Sequence, residues 1–195
     1  PLVQGEEILE LMEMTLKNLS DEGIIDYADF LDRVDILGSL GKTVLISNYG
    51  EHHRLASYLF RHTKKMIGLV MGVGTLREIF DEKYYTDLEG GILESFGRLF
   101  KNALKLYVYP LQETDNGPLI TAETLRVAPN LQPLHEYLLK NNGIEGLHDV
   151  DKTCLRIFSR KVLAKMRQGD ASWEIMVPTQ VSRLIKERKL VGWQG

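Results

Sequence analysis

The sequence is poor in several features that would place it in a specialised class of protein. Cys154 is its single cysteine among 195 residues, so no internal disulfide can form and a reducing compartment, the cytoplasm, is expected. The 24 Lys and Arg residues are outnumbered by 27 Asp and Glu residues, which gives a formal net charge of -3. This balance creates no global basic field, so neither nucleic acid nor an anionic lipid surface is expected as a partner.

Long apolar runs are also missing. The longest, "MIGLVMGVG" and "TVLIS", are far shorter than the roughly 20 residues of a membrane-spanning helix, so no membrane partner is predicted. Cys154 lies in "DKTCLRIF" without an adjacent histidine, a pattern that favours a buried structural thiol over a nucleophile. The sequence begins with Pro1 rather than Met, and we expect it to be a piece of a longer protein.

What is present is an alternation of strand and helix patterns. Apolar runs predict strands at Thr43–Ser47, "MIGLVMG" and "LKLYVYP", with shorter ones at "LITA" and "LRIFS". Amphipathic segments predict helices at Glu51–His62, "GILESFGRLFK", "NLQPLHEYLLKNNG" and "SRKVLAKMRQGD". Helical crossovers between buried strands favour an α/β fold with a mostly parallel sheet and helices on both faces.

Two helical patterns precede the first of these strands. Apolar residues recur near the 3.6-residue period over residues 6–19, which predicts one helix. A second helix follows in "DYADFLDRVDILGSLG", with Asp26 as its N-cap and Gly41 as its stop. We therefore predict a helical arm, residues 1–40, packed on a main α/β domain, residues 41–195.

The first strand ends in residues that suit a ligand. Ligands of parallel α/β sheets bind beyond the carboxyl ends of the strands. Ser47 and Asn48 follow this strand and precede a helix, whose free N–H groups and positive dipole end suit a phosphate. Arg54, in the first turn of that helix, could add a bidentate contact. A capped turn with a solvated helix face accounts for the same residues, and both interpretations stay open.

A second strand end lies in "MGVGTLREIF". Gly72 and Gly74 follow the strand, and Thr75 is the expected N-cap of the next helix. The two glycines would let the backbone approach a phosphate closely. Arg77 stands where a third glycine would complete the dinucleotide-binding pattern G-x-G-x-x-G, so the motif is incomplete. Any tight strand-to-helix turn would use the same glycines.

Other groups of residues carry weaker signals. "DEKYYTDLEGG" combines acids, a lysine and tyrosines in one loop, which could orient a substrate or simply form a charged helix end. Tyr107 and Tyr109 alternate along the third strand, as half-buried sheet residues do. "DVDKT", residues 149–153, is predicted to be a surface loop. His52 and His53 are adjacent on a helix and point about 100° apart, so no metal is expected.

The C-terminal segment "LRIFSRKVLAKMRQGDASWEIMVPTQVSRLIKERKLVGW" is similar to the C-terminal signature of nicotinate or nicotinamide mononucleotide adenylyltransferases. In that signature a serine-rich strand-to-helix turn precedes a Gly-containing loop, a Val-Pro helix and an aromatic tail. The matching positions are Ile157, Ser159, Val162, Gly169, Val177, Pro178, Val181 and Ile185. The middle of the chain also resembles the C-terminal half of a larger bacterial family labelled nicotinate-nucleotide adenylyltransferase.

The resemblance implies a Rossmann-like fold, nucleotide binding, a role in NAD biosynthesis and ATP with Mg²⁺ as the cofactor. The family's turn binds phosphate at a helix N-terminus; Ser159 matches its second serine, and Arg160 replaces its threonine. Leu163 replaces the family's arginine, so Arg160 and Lys161 would have to meet the phosphate instead. The family's Gly-x-Phe-x-Pro-x-His-x-Gly-His loop does not occur in this sequence, so the chain alone is predicted to be catalytically incomplete.

Two functions are expected as alternatives. In the first, the chain is a nucleotide- or phospholigand-binding module, and the strands ending at Ser47 and Gly72 lie side by side. Its site comprises Ser47, Asn48, Gly72, Gly74 and Thr75, with phosphate contacts from Arg54, Ser159 and Arg160. In the second, the chain is a non-catalytic scaffold that forms a homo-oligomer through its N-terminal helices. Such apolar stripes more often indicate core packing than an oligomer interface; here they are Ile8/Leu9/Leu16 and Phe30/Val34/Leu37.

Overall fold

A computed structural model describes residues 7–16, 20–21, 24–114 and 117–194. The chain divides into two compact units. The discontinuous unit combines Pro1–Gly50 with Ile157–Gly195, and the continuous unit is Glu51–Arg156. Both contain parallel strand pairs and helices, so the predicted α/β class with parallel pairing is confirmed.

The elements are numbered along the chain. The strands are β1 (Leu11–Thr15), β2 (Ser20–Asp21), β3 (Ile24–Ile25), β4 (Thr43–Ser47), β5 (Ile67–Gly72), β6 (Leu104–Tyr109), β7 (Leu111–Gln112), β8 (Leu119–Ile120) and β9 (Ile144–Gly146). The helices are α1 (Tyr27–Ser39), α2 (His52–Leu59), α3 (Val73–Ile79), α4 (Gly91–Leu99), α5 (Gln132–Lys140), α6 (Ser159–Arg167) and α7 (Thr179–Arg188). Short 3₁₀ turns lie at Glu82–Tyr85, Cys154–Arg156, Ala171–Met176 and Leu190–Gly192.

The discontinuous unit contains one parallel strand pair and three helices. β1 pairs with β4 from Leu11 opposite Thr43 to Thr15 opposite Ser47. The Asp26 carboxylate caps α1 by accepting from the N–H groups of residues 28 and 29, each at 3.0 Å, as predicted. Gly41, with φ +71°, follows the end of α1, because the left-handed region suits glycine after a helix.

The C-terminal segment builds the core of this unit. Buried apolar residues from α6, α7 and the turns beside them surround Trp173, whose ring lies 5.5 Å from that of Trp193. The segment is tied to α1 by the N–H of Val191, which donates to the Asp32 carboxylate at 2.6 Å. Val191 has φ +48°, a conformation that a β-branched residue adopts only when its surroundings hold it.

The continuous unit is built on the parallel sheet β5-β6-β9. One face of the sheet joins a single core with side chains from α2, α3, α4 and α5. Its buried members include Ala56, Leu76, Phe96, Leu99, Leu106, Leu138 and Ile144. The continuous apolar run of β5 predicts a strand buried on both faces. This prediction is wrong, because Val70 on the opposite face is 60% exposed. A two-stranded antiparallel pair, β7 with β8, follows β6.

Three local predictions are wrong. Residues 11–15 form a strand, not part of a helix, because Met12 and Met14 turn inward on alternate positions and the backbone pairs with β4. Residues 17–19 of that predicted helix lie outside the described residues. "LRIFS" is not a strand, since residues 154–156 form a 3₁₀ turn. Cys154, predicted to be buried, is exposed.

The compact units also divide the chain differently from the predicted domains. The predicted arm, residues 1–40, shares its unit with residues 41–50 and with the C-terminal segment. Among the helices in the described part of the chain, none combines the length and the apolar character needed to cross a bilayer.

Candidate functional site

The eight predicted site residues are divided between the two units. Ser47, Asn48, Ser159 and Arg160 belong to the discontinuous unit, and Arg54, Gly72, Gly74 and Thr75 to the continuous one. The prediction that β4 and β5 are adjacent in one sheet is not met: β4 belongs to a two-stranded sheet with β1, and β5 to a three-stranded sheet with β6 and β9. Each group of residues is therefore described within its own unit.

Ser47 lies in a turn that is already satisfied without a ligand. Its hydroxyl donates to the Glu13 carboxylate at 2.5 Å and accepts from the N–H of Tyr49 at 3.2 Å. A phosphate at this position would meet the negative charge of Glu13, so the contacts favour the alternative of a capped turn. Asn48 beside it is exposed.

Ser159 and Arg160 form the first turn of α6 and are both exposed. A serine at the start of a helical pattern predicts an N-cap, but Ser159 is already the first residue of α6. The N-cap position is Phe158, whose side chain has no oxygen to accept a hydrogen bond from the helix. Lys161 lies with its Nζ 5.0 Å from the centre of the Phe158 ring. Arg160 and Lys161 thus stand in the first turn of a helix, where the positive end of the helix dipole attracts anions.

The two glycines at the end of β5 have different surroundings, since Gly72 is in close packing and Gly74 is in open space. A Cβ added to Gly72 would lie 3.0 Å from the ring of Tyr109, its partner across the strands. A Cβ on Gly74 would meet nothing within 4 Å. Thr75 is not the N-cap, because α3 begins at Val73 and Gly72 occupies the cap position. Arg54 is exposed, and its Nε lies 3.4 Å from the Glu51 carboxylate.

A buried polar pair joins α2 to α4. His53 Nδ1 lies 3.1 Å from the hydroxyl of Ser95, and the two residues are 2% and 4% exposed. Burial lowers the pKa of His53, and the nearby Arg98 guanidinium lowers it further. His53 Nε2 has no hydrogen-bond partner among the described residues. The pair resembles a nucleophile and its base, but no substrate could reach it, so its role is structural.

A concave region of the continuous unit is lined by other residues. It is a cavity of about 290 Å³ in the continuous unit, which we call the arginine cavity. The end of α3, the loop after it and the segment before α5 supply its lining: Arg77, Phe80, Asp81, Glu82, Arg126, Val127 and Ala128. Phe80 is 3% exposed and packs against Phe96, with the ring centres 4.8 Å apart, so the cavity has a rigid apolar wall.

The carboxylates of the arginine cavity have partners. Asp81 pairs with Lys83 at 2.6 Å and accepts from its N–H, and these contacts hold the pKa of Asp81 below its ordinary value. Glu82 accepts a hydrogen bond from the Asn130 amide at 3.2 Å. Neither carboxylate depends on the arginines of the cavity for its hydrogen bonds.

The two arginines of the cavity differ in whether they form an ion pair. Arg77 Nη1 donates to the Glu113 carboxylate at 3.2 Å. Arg126 is exposed and has no ion pair within the part of the chain that the structure describes. A guanidinium without a carboxylate partner at the edge of a cavity is suited to bind an anionic group.

The sequence indicated some of the residues that line this cavity. Asp81 and Glu82 belong to the loop singled out as one that could orient a substrate, and Arg77 was noted for its place in the glycine motif. The sequence did not indicate Arg126, because it lies in a turn-rich stretch 49 positions after Arg77. No periodicity links residues so far apart.

No metal centre is evident in the described ranges, where no group of three or more His, Cys, Asp or Glu residues could hold an ion. Comparisons with protein-family models, with curated proteins and with solved structures each found no match to this chain. The resemblance to mononucleotide adenylyltransferases therefore stays a prediction.

Proposed function

We propose that the chain is a binding module for a small phosphorylated ligand, which it holds in the arginine cavity. The observation that carries the proposal is Arg126, a guanidinium without an ion pair among the described residues, beside a cavity of about 290 Å³. Planar guanidinium groups bind phosphate through two parallel hydrogen bonds, which a lysine cannot reproduce.

The rest of the lining suits the organic part of such a ligand. Phe80 and Val127 offer apolar surface, and Asp81 and Glu82 offer oxygen acceptors for hydroxyl groups. The volume is close to the roughly 300 Å³ at the lower end of small-molecule pockets. A ligand larger than a mononucleotide would extend beyond it.

The resemblance to mononucleotide adenylyltransferases implies further properties, which we include in the same proposal. They are a Rossmann-like arrangement, a cytoplasmic location, a nucleotide ligand, and ATP with Mg²⁺ as the cofactor of a longer nucleotidyltransferase-like protein. The exposed first turn of α6, with Ser159 and Arg160, would be a separate phosphate contact within the discontinuous unit. The absence of the family's histidine loop from this sequence supports binding without complete catalysis.

Calorimetric titration with nicotinate mononucleotide, ATP with Mg²⁺, NAD and inorganic phosphate tests the proposal. We expect at least one of the four to bind, and Arg126→Ala to weaken that binding about tenfold, the effect of removing a charge-assisted hydrogen bond of about 1.5 kcal/mol. Arg61→Ala is the matched control, because Arg61 is exposed in the same unit but does not line the cavity. No binding, or equal weakening by both substitutions, would contradict the proposal.

A second candidate function is the scaffold that self-associates through α1. The predicted stripes do not support it: residues 8 and 9 precede a strand, and Phe30 is 5% exposed. Tyr27 and Leu31, however, lie one turn apart on α1 and are 65% and 59% exposed. Sedimentation equilibrium of the chain and of a Tyr27→Ser, Leu31→Ser variant tests this function. Self-association should decrease in the variant, and a monomeric parent chain would exclude it.

A further inference from the structure

We propose that Glu113 limits the charge of the anion that the arginine cavity accepts, so that the cavity selects a singly phosphorylated ligand over a polyphosphate. The proposal rests on the function proposed above. It makes Glu113 a residue that determines specificity without lining the cavity itself.

The contact between Glu113 and Arg77 carries the argument. Glu113 follows β7, and its Oε1 lies 3.2 Å from Arg77 Nη1. The two side chains are 53% and 49% exposed, so water screens their attraction and a ligand phosphate can compete for the guanidinium. Glu113 thereby removes part of the positive charge that Arg77 would otherwise offer to the ligand.

The charges around the cavity balance one another. Arg77 and Arg126 on the lining are matched in number by Asp81 and Glu82. Lys83, paired with Asp81, is matched by Glu113, paired with Arg77. A phosphate ester carries a charge of about -1.5 to -2 at neutral pH, and it meets mainly the Arg126 guanidinium because Glu113 already pairs with Arg77. A polyphosphate brings further negative charge close to three carboxylates, and no cation on the lining is left to compensate it.

The experiment measures the affinity of the whole chain for inorganic phosphate and for pyrophosphate. We expect Glu113→Gln to increase the affinity for phosphate about two- to fivefold, the effect of a surface ion pair, and the affinity for pyrophosphate by a larger factor. Glu145→Gln is the matched control, because Glu145 pairs with Lys105 on the sheet of the same unit and is not on the lining. It should change neither affinity.

A double-mutant cycle identifies the residue through which Glu113 acts. Arg77→Ala should weaken phosphate binding only slightly in the parent chain, because Glu113 already occupies its guanidinium. In the Glu113→Gln background the same substitution should abolish the gained affinity. Thermal unfolding of each variant checks that the fold is retained.

The outcomes separate the two proposals. Phosphate binding that depends on Arg126 but does not respond to Glu113→Gln would overturn the role of Glu113 and leave the proposed function intact. An equal gain for both anions would overturn the charge selection. Absence of phosphate and pyrophosphate binding in every variant would overturn the role of Glu113. It would overturn the proposed function as well only if nicotinate mononucleotide, ATP and NAD also fail to bind.

Discussion

At the scale of single residues, burial decides what the titratable groups can do. His53 is surrounded by the charges of Glu51, Arg54, Glu94 and Arg98, yet desolvation has the largest effect on its pKa and lowers it. Burial also lowers the pKa of His135, which is fully buried beside Phe80. Both histidines are neutral in the folded chain near neutral pH, and both must remain neutral for the core to stay packed.

This burial predicts that the chain loses stability on mild acidification. Below the ordinary histidine pKa of 6.5, the unfolded chain binds protons that folded His53 does not, so the free energy of unfolding falls as the pH decreases from 6.5 towards the lowered pKa. The slope is at most about 1.4 kcal/mol per pH unit for each such histidine. Urea unfolding between pH 8 and pH 5 measures it.

His53→Gln should make that slope shallower, because glutamine keeps a polar group near Ser95 but does not titrate. His62→Gln is the control, since His62 is exposed and contacts Tyr58 at the end of the same helix. If the two variants and the parent chain have the same slope, His53 is not the group responsible.

At the scale of elements, β5 carries two glycines that face tyrosine rings of the neighbouring strand β6. Gly68 lies beside the ring of Tyr107, and Gly72 beside that of Tyr109. The sequence shows glycines on one strand and alternating tyrosines on another, but only the parallel pairing brings them together. Because glycine has no side chain, it leaves room for these rings to approach the backbone of β5 closely.

Tyr107 and Tyr109 differ in solvent exposure. Replacing the glycine beside each ring by alanine should therefore reduce stability by unequal amounts. An alanine Cβ at position 68 would lie 2.9 Å from Tyr107, whose ring is 3% exposed and cannot move aside. At position 72 it would lie 3.0 Å from Tyr109, which is 47% exposed and can shift. We expect Gly68→Ala to cost about 1–3 kcal/mol and Gly72→Ala less than about 1 kcal/mol. Equal costs in urea unfolding would contradict this account.

At the scale of the whole molecule, the discontinuous unit joins chain segments of opposite charge. Residues 1–50 have a formal net charge of -7, and residues 157–195 have +5. Contacts such as Arg188 with Asp35, at 3.7 Å, bring the two segments together, and the core around Trp173 is contributed mainly by the second. The basic C-terminal segment therefore has acidic partners within its own unit.

This division predicts different behaviour of two fragments. Residues 51–156 contain a complete sheet and their own core, so this fragment should fold by itself and unfold cooperatively. Residues 1–156 lack the apolar residues that surround Trp173, so only their continuous unit should be protected from amide exchange. An unfolded 51–156 fragment, or protection of α1 in the 1–156 fragment, would contradict the prediction.

The local features of the fold followed from the sequence. The cap at Asp26, the stop at Gly41 and the strands β4, β5 and β6 were all predicted, because a capping side chain, a left-handed glycine and a run of apolar residues act over a few neighbouring residues. The class, α/β with parallel pairing, followed from their alternation.

The surroundings of the predicted site residues could not be predicted from the local sequence. Ser47 was assigned to a phosphate, but its hydroxyl is taken by Glu13 from another strand. Gly72 was assigned to close approach of a ligand, but it faces the ring of Tyr109. In both cases the neighbour that surrounds the predicted site residue is distant along the chain, so local sequence does not reveal it.

The sequence by itself determined which segments are helices and strands over most of the chain, since those choices depend on local spacing and capping. Tertiary structure decided that residues 11–15 are a strand, because that conformation needs β4 as a partner. It also brought Arg77 and Arg126 to one cavity and placed Glu113 against Arg77. Such contacts depend on how distant segments pack, and no local pattern of residues encodes them.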